Sequence, residues 1–185
     1  VTHAGGRVDD KAYNEAAWTG ARAGATAVNG EAKYLETGDP NDHRKNVEAL
    51  VGEKHDIIVT VGAILAEATT AVAKANPGVR FIGIDQMQSQ VLPNVAGLVF
   101  DEDRAGFLAG ALAGLYSKAG KVGAVMATDV VPIVWRFGEG FRAGARHVRP
   151  NIDVQLVYHS DVGPERSFDD PEWGKATALS MIDRG

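Results

Sequence analysis

Cysteine is absent from the 185 residues. That excludes disulfides, thiolate nucleophiles and Cys-based zinc or iron–sulfur sites, and leaves the redox compartment undecided. No stretch reaches the roughly 18 uninterrupted apolar residues of a membrane-spanning helix, and no charged-then-apolar leader opens the chain. Positive charge is short as well: 19 Lys and Arg stand against 24 Asp and Glu, for a net charge of −5. The electrostatic footprint of a protein that binds nucleic acid or anionic lipid is therefore missing. The five histidines show neither H-x-x-H nor H-E-x-x-H spacing, and no serine occupies a G-x-S-x-G elbow. Gly138-Glu139-Gly140-Phe141-Arg142-Ala143-Gly144 imitates a dinucleotide fingerprint, but its last glycine comes one residue late and the run reads as helix. Gly174-Lys175-Ala176-Thr177 lacks the upstream glycine loop of a P-loop.

What is present is enough to bury a core. Apolar residues make up 45% of the chain, and the length suits one medium domain or two small lobes. Ile57-Ile58-Val59-Thr60-Val61 is a β-branched run of the kind found in parallel strands buried on both faces. Residues 63–76 are Ala-rich and read as helix until Asn76-Pro77-Gly78 stops them, after which Arg80 to Ile84 returns as a strand. A first helix over about 10–25, an alternating strand Lys33–Thr37 and a helix opened by Asp39-Pro40 precede this pair. Strand 94–100, helix 104–118, strand 121–127, helix 133–147, strand 152–158 and helix 171–184 follow. This rhythm predicts right-handed βαβ units on parallel sheets, with a second lobe beginning near residue 102. Asp101-Glu102-Asp103 reads as a helix-dipole device rather than a metal site. Gly106, Gly110 and Gly114 read as a seam for close packing between helices.

The most informative segment lies near the start. Gly5-Gly6 allows a tight turn, Asp9 or Asp10 can accept from the free N–H groups of a first helical turn, and Tyr13 and Asn14 fall in that turn. In an open α/β sheet such a strand-to-helix connection is where ligands sit. A flat ring beside a two-way amide suits a planar heterocycle, although a Tyr packed on its own strand is equally compatible with these residues. Asp85, directly after Ile84, stands at a strand carboxyl end, as a ligand group or as a turn aspartate. Phe168 in the loop before the last helix, and Trp135 and Phe137 after strand 121–127, are aromatics that either line a cleft or pack; packing is favoured for Phe137. Trp18 reads as helix core.

The run GGRVDDKAYNEAAW resembles the opening of the basic membrane protein family, the substrate-binding lipoproteins of ABC importers for purine nucleosides. The resemblance continues through Gly83-Ile84-Asp85, Asn94 to Phe100, Gly106 to Ala113, Gly120 to Gly123, Phe137 to Gly144, Ser167 to Asp170 and Gly174-Lys175. It implies an α/β fold of periplasmic-binding-protein type I, two lobes at 1–101 and 102–185, present here as a partial chain. It also implies a signal peptide, a lipid-bearing Cys and most of a first strand before Val1, and a further strand after Gly185.

The function implied is that of an extracytoplasmic solute receptor, lipid-anchored or periplasmic, serving an ABC permease. Its small-molecule ligand, a nucleoside or related heterocycle, is held in the cleft between the lobes without catalysis, cofactor or metal. By the same resemblance Tyr13, Asn14, Asp85 and Phe168 are ligand-binding, with Asp85 on the sugar and the Tyr13 ring, rather than its hydroxyl, against the base. Trp135 joins them as a cleft aromatic. His3 stands where the nucleoside binders carry an Asp before the Gly-Gly turn, and a neutral imidazole is not a fixed anion, so the base is read differently there. Two other classes share these features: an effector-sensing domain of a transcriptional regulator with the same fold, and an enzyme using Asp9, Asp10 and Asp85.

Overall fold

In the computed structural model, residues 6–184 are described, and they fall into two compact units, one ending at Val99 and the other beginning at Phe100. His3 and Gly5 lie outside the described residues.

The first unit begins with helix α1, Tyr13–Ala27. It starts at Tyr13 because Asp10 satisfies the orphan donors of its first turn, accepting from the backbone N–H of Ala12, Asn14 and Glu15 at 2.8, 2.9 and 3.1 Å. Glu15 reciprocates by accepting from Lys11 N at 3.0 Å, the reach-back of a capping box shifted outward by one residue. Lys11 has φ 55°, which turns the chain into the helix. Asp10, not Asp9, is thus the cap. Asp9 pairs instead with Arg7 at 2.9 Å on the surface.

Helix α2 (His43–Gly52), strand β1 (Ile57–Val61), helix α3 (Ala66–Ala75), strand β2 (Arg80–Ile84) and strand β3 (Val95–Leu98) follow. The three strands form one parallel sheet in the order β1-β2-β3, with Ile57 opposite Arg80, Val61 opposite Ile84 and Phe81 opposite Val95. Val47 and Leu50 of α2, Val72 and Ala73 of α3, Ile58 and Phe81 form the core, so α2 and α3 cover one face of the sheet.

Several expectations are corrected here. Lys33–Thr37 forms no strand; it has no ladder among the described residues, and Thr37 makes only an isolated bridge. Asp39 does cap, accepting from Asn41 N at 2.9 Å, but it caps a 3₁₀ turn, Pro40–Asp42, and α2 starts only at His43. The single helix expected over 63–76 is a 3₁₀ turn, Ala63–Leu65, followed by α3. β1 is buried on both faces only toward its carboxyl end: Ile58 and Thr60 are buried on one face and Val61 on the other, while Ile57 at its start is 52% exposed. β3 ends at Leu98 and is largely exposed, since it is an edge strand. Asn94 before it has a structural role, donating to the carbonyls of Ala73, Asn76 and Val79 and so tying the end of α3 to the start of β2.

The second unit comprises helix α4 (Glu102–Tyr116), β4 (Lys121–Met126), helix α5 (Pro132–Val148), β5 (Asp153–Tyr158), a short helix α6 (Pro164–Ser167) and α7 (Pro171–Asp183). β4 and β5 are parallel, Lys121 opposite Asp153. Helix α4 begins two residues earlier than expected and draws Glu102 into the interior, where it meets Arg136 of α5 at 3.3 Å. The glycines of α4 do face α5. A Cβ on Gly106 would fall on the Phe137 carbonyl, one on Gly110 on the Phe141 carbonyl, and, from the other side, one on Gly144 on the Phe107 carbonyl. The two backbones approach to a distance only glycine permits. Gly140 and Gly144 are buried against α4 and Gly138 against Tyr158 and Leu156 of β5, which disposes of the apparent dinucleotide motif.

Candidate functional site

In the first unit the carboxyl ends of β1 and β2 lie side by side and make the candidate site. Gly62 follows β1 at φ 104°, and Asp85 follows β2 at φ 58° in the left-handed region. The Gly62 N–H donates to the Ile84 carbonyl at 3.0 Å, so the two strand ends are stitched where the sheet stops. A non-glycine residue at positive φ costs energy that its surroundings must supply.

Tyr13 supplies part of it. Its hydroxyl donates to Asp85 Oδ2 at 2.6 Å and lies 3.5 Å from the Ile84 carbonyl. Burial, then the hydrogen bond to Asp85 and the negative charge of that carboxylate, raise the Tyr13 hydroxyl above its ordinary range, so it remains a neutral donor. The structure therefore gives the hydroxyl a partner, where the sequence suggested that the ring alone matters. The start of α1 and the end of β2 thereby become one constellation, although 72 residues separate Tyr13 from Asp85.

Asn14 is only 2% exposed, and its amide donates to Asp10 Oδ2 at 3.0 Å. In this conformation it braces the turn. Burial opposes ionisation of Asp10, but the N–H groups of Asn14, Glu15 and Ala12 and the Asn14 amide outweigh it and hold the carboxyl down at about 2. Trp18 is half-buried, edge-on to Tyr34 at 5.3 Å with the Arg22 guanidinium 5.5 Å from its ring. It belongs to the surface of α1 rather than to a core.

Sequence reasoning missed Gln86. It is fully buried and donates through Nε2 to the Thr60 hydroxyl and to the Gly62 carbonyl, both at 3.0 Å. Thr69 donates to the Leu65 carbonyl at 2.8 Å and lies 2.8 Å from the Thr60 hydroxyl. The only consistent direction runs from the Gln86 amide through Thr60 and Thr69 to Leu65. This relay fixes the turns after β1 and β2, the two that form the site edge. Gly83 makes room for it, since a Cβ there would overlap the Gln86 side chain. A glycine within an apolar strand, followed three residues later by a glutamine, was the available signal.

In the second unit the expected aromatics are exposed: Phe168 by 48%, Trp135 by 50% and Phe137 by 39%. Phe137 is thus not the core residue the sequence favoured, because its backbone faces α4 and turns the ring outward. Trp135 sits inside α5 rather than on the connection before it. Phe168 borders an open recess of about 340 Å³ shared with Met126, Ala127, Asp169, Asp170 and Trp173. Among the described residues no group of His, Cys, Asp or Glu is arranged to hold a metal ion, and no helix is long and apolar enough to cross a membrane.

Parallel strands flanked by helices make an α/β fold, and its structural neighbours include solute-binding proteins. A crystal structure of an ABC transporter solute-binding protein from Aeropyrum pernix K1 superposes with a TM-score of 0.83 at 26% identity, over 100% of this chain and 51% of that one. Residues 1–185 match the Bmp family, described as ABC transporter substrate-binding protein PnrA-like, and the chain belongs to that family. It is 30% identical over 190 residues to the CD4+ T-cell-stimulating antigen of Listeria monocytogenes, covering 100% of this chain and 51% of that protein. It is 29% identical over 191 residues to the ABC transporter nucleoside-binding protein BmpA of Lactococcus lactis, with the same coverages. The chain spans about half the length of these relatives.

Proposed function

We propose that the protein to which this chain belongs is the extracytoplasmic, lipid-anchored or periplasmic receptor of an ABC importer, and that its ligand is a purine nucleoside or a closely related heterocycle. The observation that carries this reading is the Tyr13–Asp85 pair, an aromatic ring and a carboxylate joined at 2.6 Å on the carboxyl edge of a parallel sheet. A carboxylate oriented by Tyr13 has acceptor capacity for a sugar hydroxyl, and the ring beside it offers a stacking face for a base. Family membership and the nucleoside-binding name of the Lactococcus relative support the same ligand class. Phe168 and Trp135, both exposed rings, are proposed as further ligand contacts, as are Asn14 and His3. The partner is the permease of the importer, and nothing in the site calls for catalysis. The regulator alternative has less support, since the matched family is one of transport binding proteins.

Isothermal calorimetry of the intact protein tests this reading. Nucleosides should bind, and Asp85→Asn should weaken a nucleoside more than the corresponding free base, because its assigned partner is the sugar. Equal loss for nucleoside and base would remove Asp85 from the sugar. No binding of any nucleoside would remove the ligand class.

A further inference from the structure

His159 directly follows β5 in the second unit and is only 3% exposed. Its backbone N–H reaches the carbonyls of Met126 and Ala127 at 3.1 and 2.7 Å, so the residue is anchored to β4. Its ring stacks on Trp173 of α7, centroids 4.0 Å apart and planes within 6°. Each ring nitrogen faces a carboxylate: Nδ1 lies 2.9 Å from Asp161 Oδ1 and Nε2 lies 3.2 Å from Asp170 Oδ2. Asp161 opens the connection to α7 and Asp170 closes it, the latter also capping α7 by accepting from Trp173 N at 3.0 Å. The other charged groups around the ring are Arg166 of α6, 3.5 Å from Asp170, and Asp129 of the β4–α5 connection, bonded to the neighbouring Ser160 at 2.6 Å.

A neutral imidazole has one N–H and one lone pair, so whichever tautomer it adopts, one of these two carboxylates meets a lone pair. Only the doubly protonated ring donates to both. We propose that His159 is a positioning residue: it clamps the two ends of the Asp161–Asp170 connection, and with it the Phe168 ring, and the clamp holds fully only while both ring nitrogens carry protons. Asp161 is largely exposed and Asp170 mostly shielded, so the Asp170 contact contributes more. The stabilised form is the protonated one. The contact to the second carboxylate is therefore lost when the ring gives up its second proton. For its consequence on ligand binding this inference rests on the proposed role of Phe168; the clamp itself does not.

Amide exchange of residues 161–170 in the intact protein, followed by NMR from pH 5 to 8 without ligand and corrected for intrinsic exchange, tests the clamp. Protection should fall by up to about fivefold as pH rises, the worth of one contact to an exposed carboxylate. His159→Phe keeps a ring for Trp173 but has no N–H, and should be flat and low throughout. If that variant fails to fold, Asp161→Ala serves: with one carboxylate left, a neutral ring can still donate to it, and the fall in protection with pH should become smaller. A flat profile in the unsubstituted protein, or an unchanged falling profile in Asp161→Ala, overturns the proposal. Phe168→Ala should alter nucleoside affinity while leaving the exchange profile intact, so failure of the ligand reading is seen separately.

Discussion

Two roles are proposed for Tyr13. The ring offers a stacking face, and the hydroxyl holds Asp85 in a left-handed conformation it would not adopt unaided. Stacking of a base on an aromatic ring is worth roughly 1–3 kcal/mol by alanine substitution, or about 5- to 150-fold in affinity. Tyr13→Ala should therefore weaken nucleoside binding by that order in calorimetry. Tyr13→Phe keeps the ring but releases Asp85, and should lose a smaller factor that appears with a nucleoside and not with a free base. If Tyr13→Ala lowers the melting temperature yet leaves affinity unchanged, the residue is packing. The carboxylate-capped turn and the strand ends that meet at the site were legible in the sequence, because capping chemistry and strand ends are local signals. The Tyr13–Asp85 bond was not, since nothing local connects residues so far apart. Gln86 was hidden for a different reason: a buried amide looks like any loop glutamine until its partners Thr60 and Gly62 are placed around it.

At the scale of elements the glycines divide sharply. Gly110 in α4 and Gly24 in α1 are both helical, and a glycine in a helix costs roughly 0.5–1 kcal/mol relative to alanine. Gly24 is exposed, and a Cβ placed on it would meet nothing within 4 Å, so Gly24→Ala should raise stability by up to about 1 kcal/mol. Gly110 faces the Phe141 backbone, which cannot swing aside as a side chain can, so Gly110→Ala should destabilise by about 1–3 kcal/mol despite its better helix propensity. Chemical denaturation of both variants reads the two signs, and a gain at Gly110 would mean that α4 and α5 are not closely seated. The four-residue spacing of Gly106, Gly110 and Gly114 made this seam readable in the sequence. Strands β1 and β2 were readable to the residue, because a β-branched run between breakers leaves little choice of register. Lys33–Thr37 misled because alternation marks an extended, half-buried segment, whereas a strand also requires ladder pairing, and pairing is a property of the fold.

For the whole molecule the acid side of its stability follows from where its carboxylates are used. The chain has an excess of acid, with a net charge of −5, and several of those groups serve as hydrogen-bond acceptors rather than as bulk surface charge. Asp10 is held at about 2 by the N–H groups of the α1 turn. Asp170 is held below the usual carboxylate range chiefly by the Trp173 N–H, then by His159, and Asp161 chiefly by His159. Each folded-state value lies below the unfolded one of about 3.9, so the stabilisation is lost as pH falls through the folded value; for Asp10, whose N–H partners do not titrate, it is complete above that pH. Acid should thus erode the protein between about pH 4 and 2. Asp10→Asn should lower stability at neutral pH, flatten that acid limb, and converge with the unsubstituted protein near pH 2. Asp9→Asn, which removes only an exposed pair with Arg7, should change the limb far less. Urea midpoints measured for the three proteins across this range decide the point. Parallel acid limbs for Asp10→Asn and the unsubstituted protein would show that the α1 cap does not depend on the Asp10 charge, and the turn that presents Tyr13 would then owe its geometry to Glu15 and the backbone.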